Sequence, residues 1–163
     1  MAAGSTYTPI ATNTVSGSST TQVTFSSIAS TYTDLVLVAN INASAGYSIL
    51  RVNNDSSAIY SRTWVYGNGT TAASNRGTAM TGLDLKPDST ASVFAPTIVH
   101  IQNYSNSTTY KTMLLRQSQS TEVAAYVGLW RSTSAINRVD ILMSGANTFT
   151  AGSTFTLYGI AAA

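Results

Sequence analysis

Short apolar runs alternate with polar turn clusters along the whole chain, at the roughly 8–12-residue spacing of a sandwich or barrel. In residues 20–25, Thr21, Val23 and Phe25 share one face, and Gln22 and Thr24 share the other. Asp34–Ile41 is apolar on both faces through Leu35, Val36, Leu37, Val38 and Ala39, which predicts a central strand. Residues 47–52 alternate loosely and stop at the turn cluster Asn53-Asn54-Asp55-Ser56. Residues 59–66 are aromatic and β-branched and stop at Gly67-Asn68-Gly69.

Residues 67–90 are rich in Gly and Asn, poor in large apolar side chains and interrupted by Pro87. They predict a long variable loop with one short strand near residues 80–85. Residues 93–104 read as a strand in which Pro96 implies an edge or a bulge. Residues 110–117 form its hairpin partner, with Met113 and Leu115 on one side and Thr112 and Leu114 on the other. In Glu122–Trp130, Val123, Ala125, Val127 and Leu129 line one face. The opening Glu-Val-Ala-Ala-Tyr-Val would also suit a helix, but Gly128 and the preceding Ser and Thr residues favour a strand. Residues 136–143 form the next strand, followed by the turn Ser144-Gly145-Ala146-Asn147.

Thr154–Ile160 alternates again. The terminal segment Thr154–Ala163 is read as the last core strand, because Phe155 and Leu157 need burial; the other reading pairs it with the open edge of a neighbouring subunit. Residues 1–19 predict an extended N-terminal arm or edge strand. The sum is eight to ten strands with no long helix between them. The expected fold is therefore all-β: an antiparallel β-sandwich, jelly-roll-like, forming a single domain over residues 1–163.

Composition sharpens this picture at one point. Only 9% of residues are charged, against about 25% in ordinary soluble domains, and Ser and Thr supply the missing polarity. Such a chain is poorly suited to long exposed helices, which rely on charged side chains. The net charge of +2 rests on eight cations scattered singly, without the clustered stripe that nucleic acid requires, so no nucleic-acid partner is expected. No apolar run reaches the ~20 residues of a membrane-spanning helix, and no membrane partner is expected. The first residues lack the charged-then-apolar order of a secretory signal, which predicts synthesis in the cytoplasm without signal-dependent export.

Candidate chemistry is sparse. The chain has no cysteine, so disulfides and thiolate chemistry are excluded. His100 is the only histidine and is read as a packed or hydrogen-bonded ring. Asp34 and Asp55 suit turn roles, Asp88 sits in a turn, and Asp140 alternates with Arg138 as a surface ion contact. No nucleophile elbow, phosphate loop or calcium loop occurs. The expectation is a non-enzymatic protein without catalytic residues, metal or cofactor. Tyr60, Trp64 and Tyr66 lie at even spacing on one strand face and form the candidate interaction surface, in the manner of a lectin's stacking platform. The competing reading makes the same face part of the core.

Five stretches resemble a family of small β-rich virion proteins of tailed bacteriophages, known as structural, decoration or fibre-like proteins. They are Tyr32-Thr33-Asp34-Leu35; Tyr60-Ser61-Arg62-Thr63; Asn106-Ser107-Thr108-Thr109-Tyr110-Lys111-Thr112; Tyr126-Val127-Gly128-Leu129-Trp130-Arg131-Ser132-Thr133; and Phe155-Thr156-Leu157-Tyr158-Gly159-Ile160. The resemblance implies a particle component made in a bacterial host's cytoplasm. The expected role is a capsid decoration, or cement, protein that binds the major capsid protein or other virion proteins as a homotrimer. The alternative is a tail-fibre tip that grips host glycans.

Overall fold

Alternating side chains can bury one face of a strand only if neighbouring strands present theirs to the same side, and here they do so in two layers. The computed structural model describes residues 6–87, 89 and 93–161. The described residues form twelve strands: β1 (Tyr7–Thr14), β2 (Gln22–Phe25), β3 (Asp34–Ile41), β4 (Ser48–Val52), β5 (Tyr60–Gly67), β6 (Ala72–Met80), β7 (Leu83–Leu85), β8 (Ala95–Ile101), β9 (Lys111–Gln119), β10 (Glu122–Trp130), β11 (Val139–Met143) and β12 (Thr154–Ile160). The wide sheet runs β1-β12-β3-β8-β9-β10-β5-β6, and the narrow sheet runs β2-β11-β4-β7. Every pairing is antiparallel. The protein is thus an all-β antiparallel sandwich, with twelve strands among the described residues, divided eight and four, against the eight to ten expected.

One core fills the space between the sheets. The wide sheet contributes Leu35, Leu37, Val99, Ile101, Met113, Leu115, Phe155 and Leu157. The narrow sheet answers with Val23, Phe25, Leu50, Val52, Leu83, Leu85, Val139 and Ile141. Burying each such side chain is worth about 1.5–3 kcal/mol. The two layers are also tied by polar contacts. Tyr60 of β5 reaches across so that its hydroxyl accepts from the Val52 backbone N–H at 3.1 Å and donates to the Val52 carbonyl at 3.3 Å. Its ring stacks on Trp130, whose indole N–H donates to Asp55 at 2.8 Å. Gly128 of β10 lies against Leu83 of β7, and a Cβ there would stand 2.3 Å from Leu83 Cδ1.

The structure differs from the sequence reading in three places. The expected loop over residues 67–90 contains β6 in addition to the one short strand expected there, which is β7. β6 is polar and exposed, and it persists because backbone pairing with β5 supplies the order that its side chains do not. Pro96 sits in a central strand, not at an edge or bulge. It is tolerated because the β9 ladder begins only at Thr97, so Pro96 lies beyond it. Arg138–Asp140 is more than a surface contact: Asp140 is buried and also accepts from Gln22 and Thr24 at 3.0 and 2.7 Å. β12 lies between β1 and β3, so Phe155 and Leu157 belong to this chain's own core. The N-terminal segment supplies an edge strand, β1. Residues 1–5 of the expected arm, and Asp88 and residue 90 of the expected loop, lie outside the described residues.

Two predictions follow from this packing. Gly128→Ala should lower unfolding stability by about 1–3 kcal/mol in urea titrations, since the core must shift to admit a methyl group. Adding Leu83→Ala should make the two losses less than additive, because it empties the contested space; strict additivity would count against the close contact. Asp55 gives the second. Partial burial raises its pKa, but hydrogen bonds from Ser57 and the Trp130 indole hold the net value below the usual 3.8. Its contribution is therefore full above that value and lost as pH falls through the folded-state value. Tryptophan-monitored stability should drop on acidification below about pH 4, and by less in Asp55→Asn.

Candidate interaction face

The sequence-predicted trio divides between core and sheet interior. Tyr60 is fully buried. Trp64 and Tyr66 are half-buried on the same inward side of β5, with ring centroids 6.4 Å apart. Trp64 meets Tyr126 edge-on at 5.8 Å, and the Arg62 guanidinium covers its ring at 3.9 Å from the centroid. Arg62 in turn pairs with Asp84 of β7 at 2.7 Å, and Lys86 pairs with Glu122 at 2.8 Å. Burial pushes the Asp84 carboxyl up in spite of Arg62, and it pushes the Tyr126 phenol up to about 12. These groups link β5 and β10 of the wide sheet to β7 and the residue that follows it. Tyr60 is therefore not part of an exposed platform, because the period that gathers the three rings on one face turns that face toward the narrow sheet.

The opposite face of the wide sheet is where apolar side chains reach solvent. Val65, Leu114, Val123 and Val127 are 57%, 54%, 60% and 53% exposed. Register makes them neighbours. Leu114 of β9 stands opposite Val127 of β10, and Ala125 of β10 stands between Val65 of β5 and Arg116 of β9. Ile98 and His100 of β8 continue the rows, opposite Arg116 and Leu114, and reach Val38 and Val36 of β3. The face that the sequence marks as Val123, Ala125, Val127 and Leu129 is therefore turned outward, while Tyr126, Gly128 and Trp130 take the core side.

Three adjoining hollows on this face meet at Arg116. The first, about 390 Å³, has Val36, Ile98, Leu114 and Ala125 as its apolar lining, with Tyr7, His100 and Arg116 alongside. The others lie toward Pro96 and toward Val65 and Val123. Among the described residues, the exposed side chain of Arg116 makes no hydrogen bond or ion pair. His100 is bonded through Nε2 to Asp34 at 2.8 Å, and Asp34 also accepts from the Asn103 N–H at 2.7 Å. His100 is thus a hydrogen-bonded ring, and Asp34 holds it as well as its own turn.

The described carboxylates are all committed within the chain. Asp34 binds His100, Asp55 binds Trp130, Asp84 binds Arg62, Glu122 binds Lys86 and Asp140 binds Arg138. The amino group of Lys111, a buried side chain, donates to the carbonyls of Thr109 and Thr133. Among the described residues no group of three or more His, Asp or Glu side chains is placed to hold a metal ion. Among the described residues no helix is long and apolar enough to cross a membrane. No known family model matches the chain, and no curated protein matches it.

Sequence reading names Leu114, Val123 and Val127 as strand positions but not as a surface. The one available signal is that β10 is apolar or aromatic on both alternating faces, which in an antiparallel sheet leaves one such face for a partner or for water. If the face is exposed as described, Val123→Thr and Val127→Thr should each change unfolding stability by less than about 0.5 kcal/mol, as surface substitutions do. Leu115→Ala, one residue from Leu114 but inward, should cost about 2–5 kcal/mol. Denaturant titration separates the two groups, and similar losses at all three sites would contradict the assignment of faces.

Proposed function

We propose that this protein is a non-enzymatic structural component of a bacteriophage particle, a decoration protein that docks on the capsid surface through the outer face of its wide sheet. The single observation that carries the reading is the contiguous exposed apolar band of Val65, Leu114, Val123 and Val127. Monomeric proteins rarely expose contiguous apolar patches beyond a few hundred Å² without using them for binding. The eight-stranded face measures roughly 35 by 25 Å from strand spacing and rise, near 900 Å². Specific interfaces bury about 800 Å² per partner.

Composition supports the same reading. A sandwich held by apolar burial and few charges loses little stability when salt changes, which suits a protein exposed on a particle. The commitment of each described carboxylate to an internal partner supports a structural rather than a catalytic use of the acids. A glycan-stacking role for the aromatic trio has less support, since Tyr60 is buried and Arg62 covers the Trp64 ring.

Quantitative mass spectrometry of purified particles from the phage that encodes the chain is the test. Hundreds of copies per particle are expected of a decoration protein. A few copies would indicate a fibre tip, and absence from the particle would overturn the proposal.

A further inference from the structure

Resting on that docking reading, we propose that the occupant of the outer face is an acidic, apolar surface of a different protein, whose carboxylate pairs with Arg116 while its aliphatic side chains cover Leu114, Val123 and Val127. Charge complementarity carries the choice. Arg116 stands at the meeting point of the three hollows, and among the described residues it has no partner. Arg76, exposed on β6 across from Thr63, adds a second cation whose side chain makes no ion pair among the described residues. The described carboxylate on this face, Asp34, is held by His100 and by the Asn103 N–H. The face is therefore apolar with excess positive charge. Covering it with a neutral apolar surface would strand a buried guanidinium, which is strongly unfavourable.

A second copy of the chain is a poor occupant for the same reason. Its described carboxylates are committed in their own structure, and a two-fold contact centred on this face would set one Arg116 near another. Nucleic acid is disfavoured by the floor, which is aliphatic at Val65, Leu114, Val123 and Val127, where bases would need aromatic rings to stack on. An extended acidic–apolar segment or a strand face matches the pleat of β9 and β10, with aliphatic side chains between Leu114 and Val127 and a carboxylate over Arg116.

The test uses synthetic peptides of about ten residues, the length that spans β9 or β10, in which every second residue is Thr and the strand face between carries Val alternating with Glu, with Gln or with Lys. Binding to the full chain is measured by fluorescence anisotropy, and the site is mapped by backbone amide shifts. The Val/Glu peptide should bind at least roughly ten-fold more tightly than the Val/Gln peptide, with shifts concentrated in β9 and β10. Arg116→Gln should erase that preference, and Arg116→Glu should transfer it to the Val/Lys peptide. Arg51→Gln, in the narrow sheet, should leave it intact.

Equal binding of the three peptides would overturn the proposal. So would no binding of the Val/Glu peptide at millimolar concentration, shifts confined to other elements, tighter binding of an oligothymidylate, or dimerisation through this face. Particle copy number is read separately. Charge-blind binding by a chain abundant in particles sinks this inference alone; glutamate-selective binding by a chain absent from particles sinks only the docking reading.

Discussion

The distance between the two sheets depends on a side chain that is missing. Leu83 of the narrow sheet occupies the space beside Gly128 of the wide one, so the layers approach more closely there than any Cβ would permit. That approach lets Tyr60 reach the Val52 backbone and Trp130 stack beneath it. Burial of Tyr60 then removes one ring of the predicted interaction surface from solvent. A contact of a few ångströms inside the sandwich thus decides which of its two candidate faces is available outside.

Charge is used sparingly, and largely for structure. The described acidic residues each hold a specific donor: an indole, an imidazole, an ammonium or a guanidinium. Asp140 shows the extreme case, a buried carboxylate surrounded by Arg138, Gln22 and Thr24 on the outer side of the narrow sheet. Such groups are costly to bury alone and tolerable only when fully bonded. In this nearly neutral chain an unpaired exposed cation amid aliphatic side chains stands out, and Arg116 is that cation.

The wide sheet has more faces than the narrow sheet can cover. Its inner side shares the core, and its outer side carries Leu114, Val123, Val127 and Val65 in adjoining strands. A parallel sheet would require helices over both sides; an antiparallel one can leave a side to water or to a partner. The docking reading and its electrostatic refinement both rest on this asymmetry between eight strands and four.

Alternation, turn residues and low charge by themselves determined the all-β class, the antiparallel layering and the positions of most strands. β3, β10 and β12 fall where their apolar patterns place them, because period-two burial is a local property of residues such as Leu35, Leu37, Phe155 and Leu157. β6 was not legible, since Ala72–Met80 has no apolar pattern and owes its order to pairing with β5. Nor was the orientation of β10, which is apolar or aromatic on each face: alternation identifies two faces without saying which is inside. Only the tertiary structure decided that, through the register that sets Gly128 against Leu83 and sends Tyr60 inward and Val127 out. It did so because burial is a property of what lies opposite a residue, and that is settled by contacts far apart in the chain.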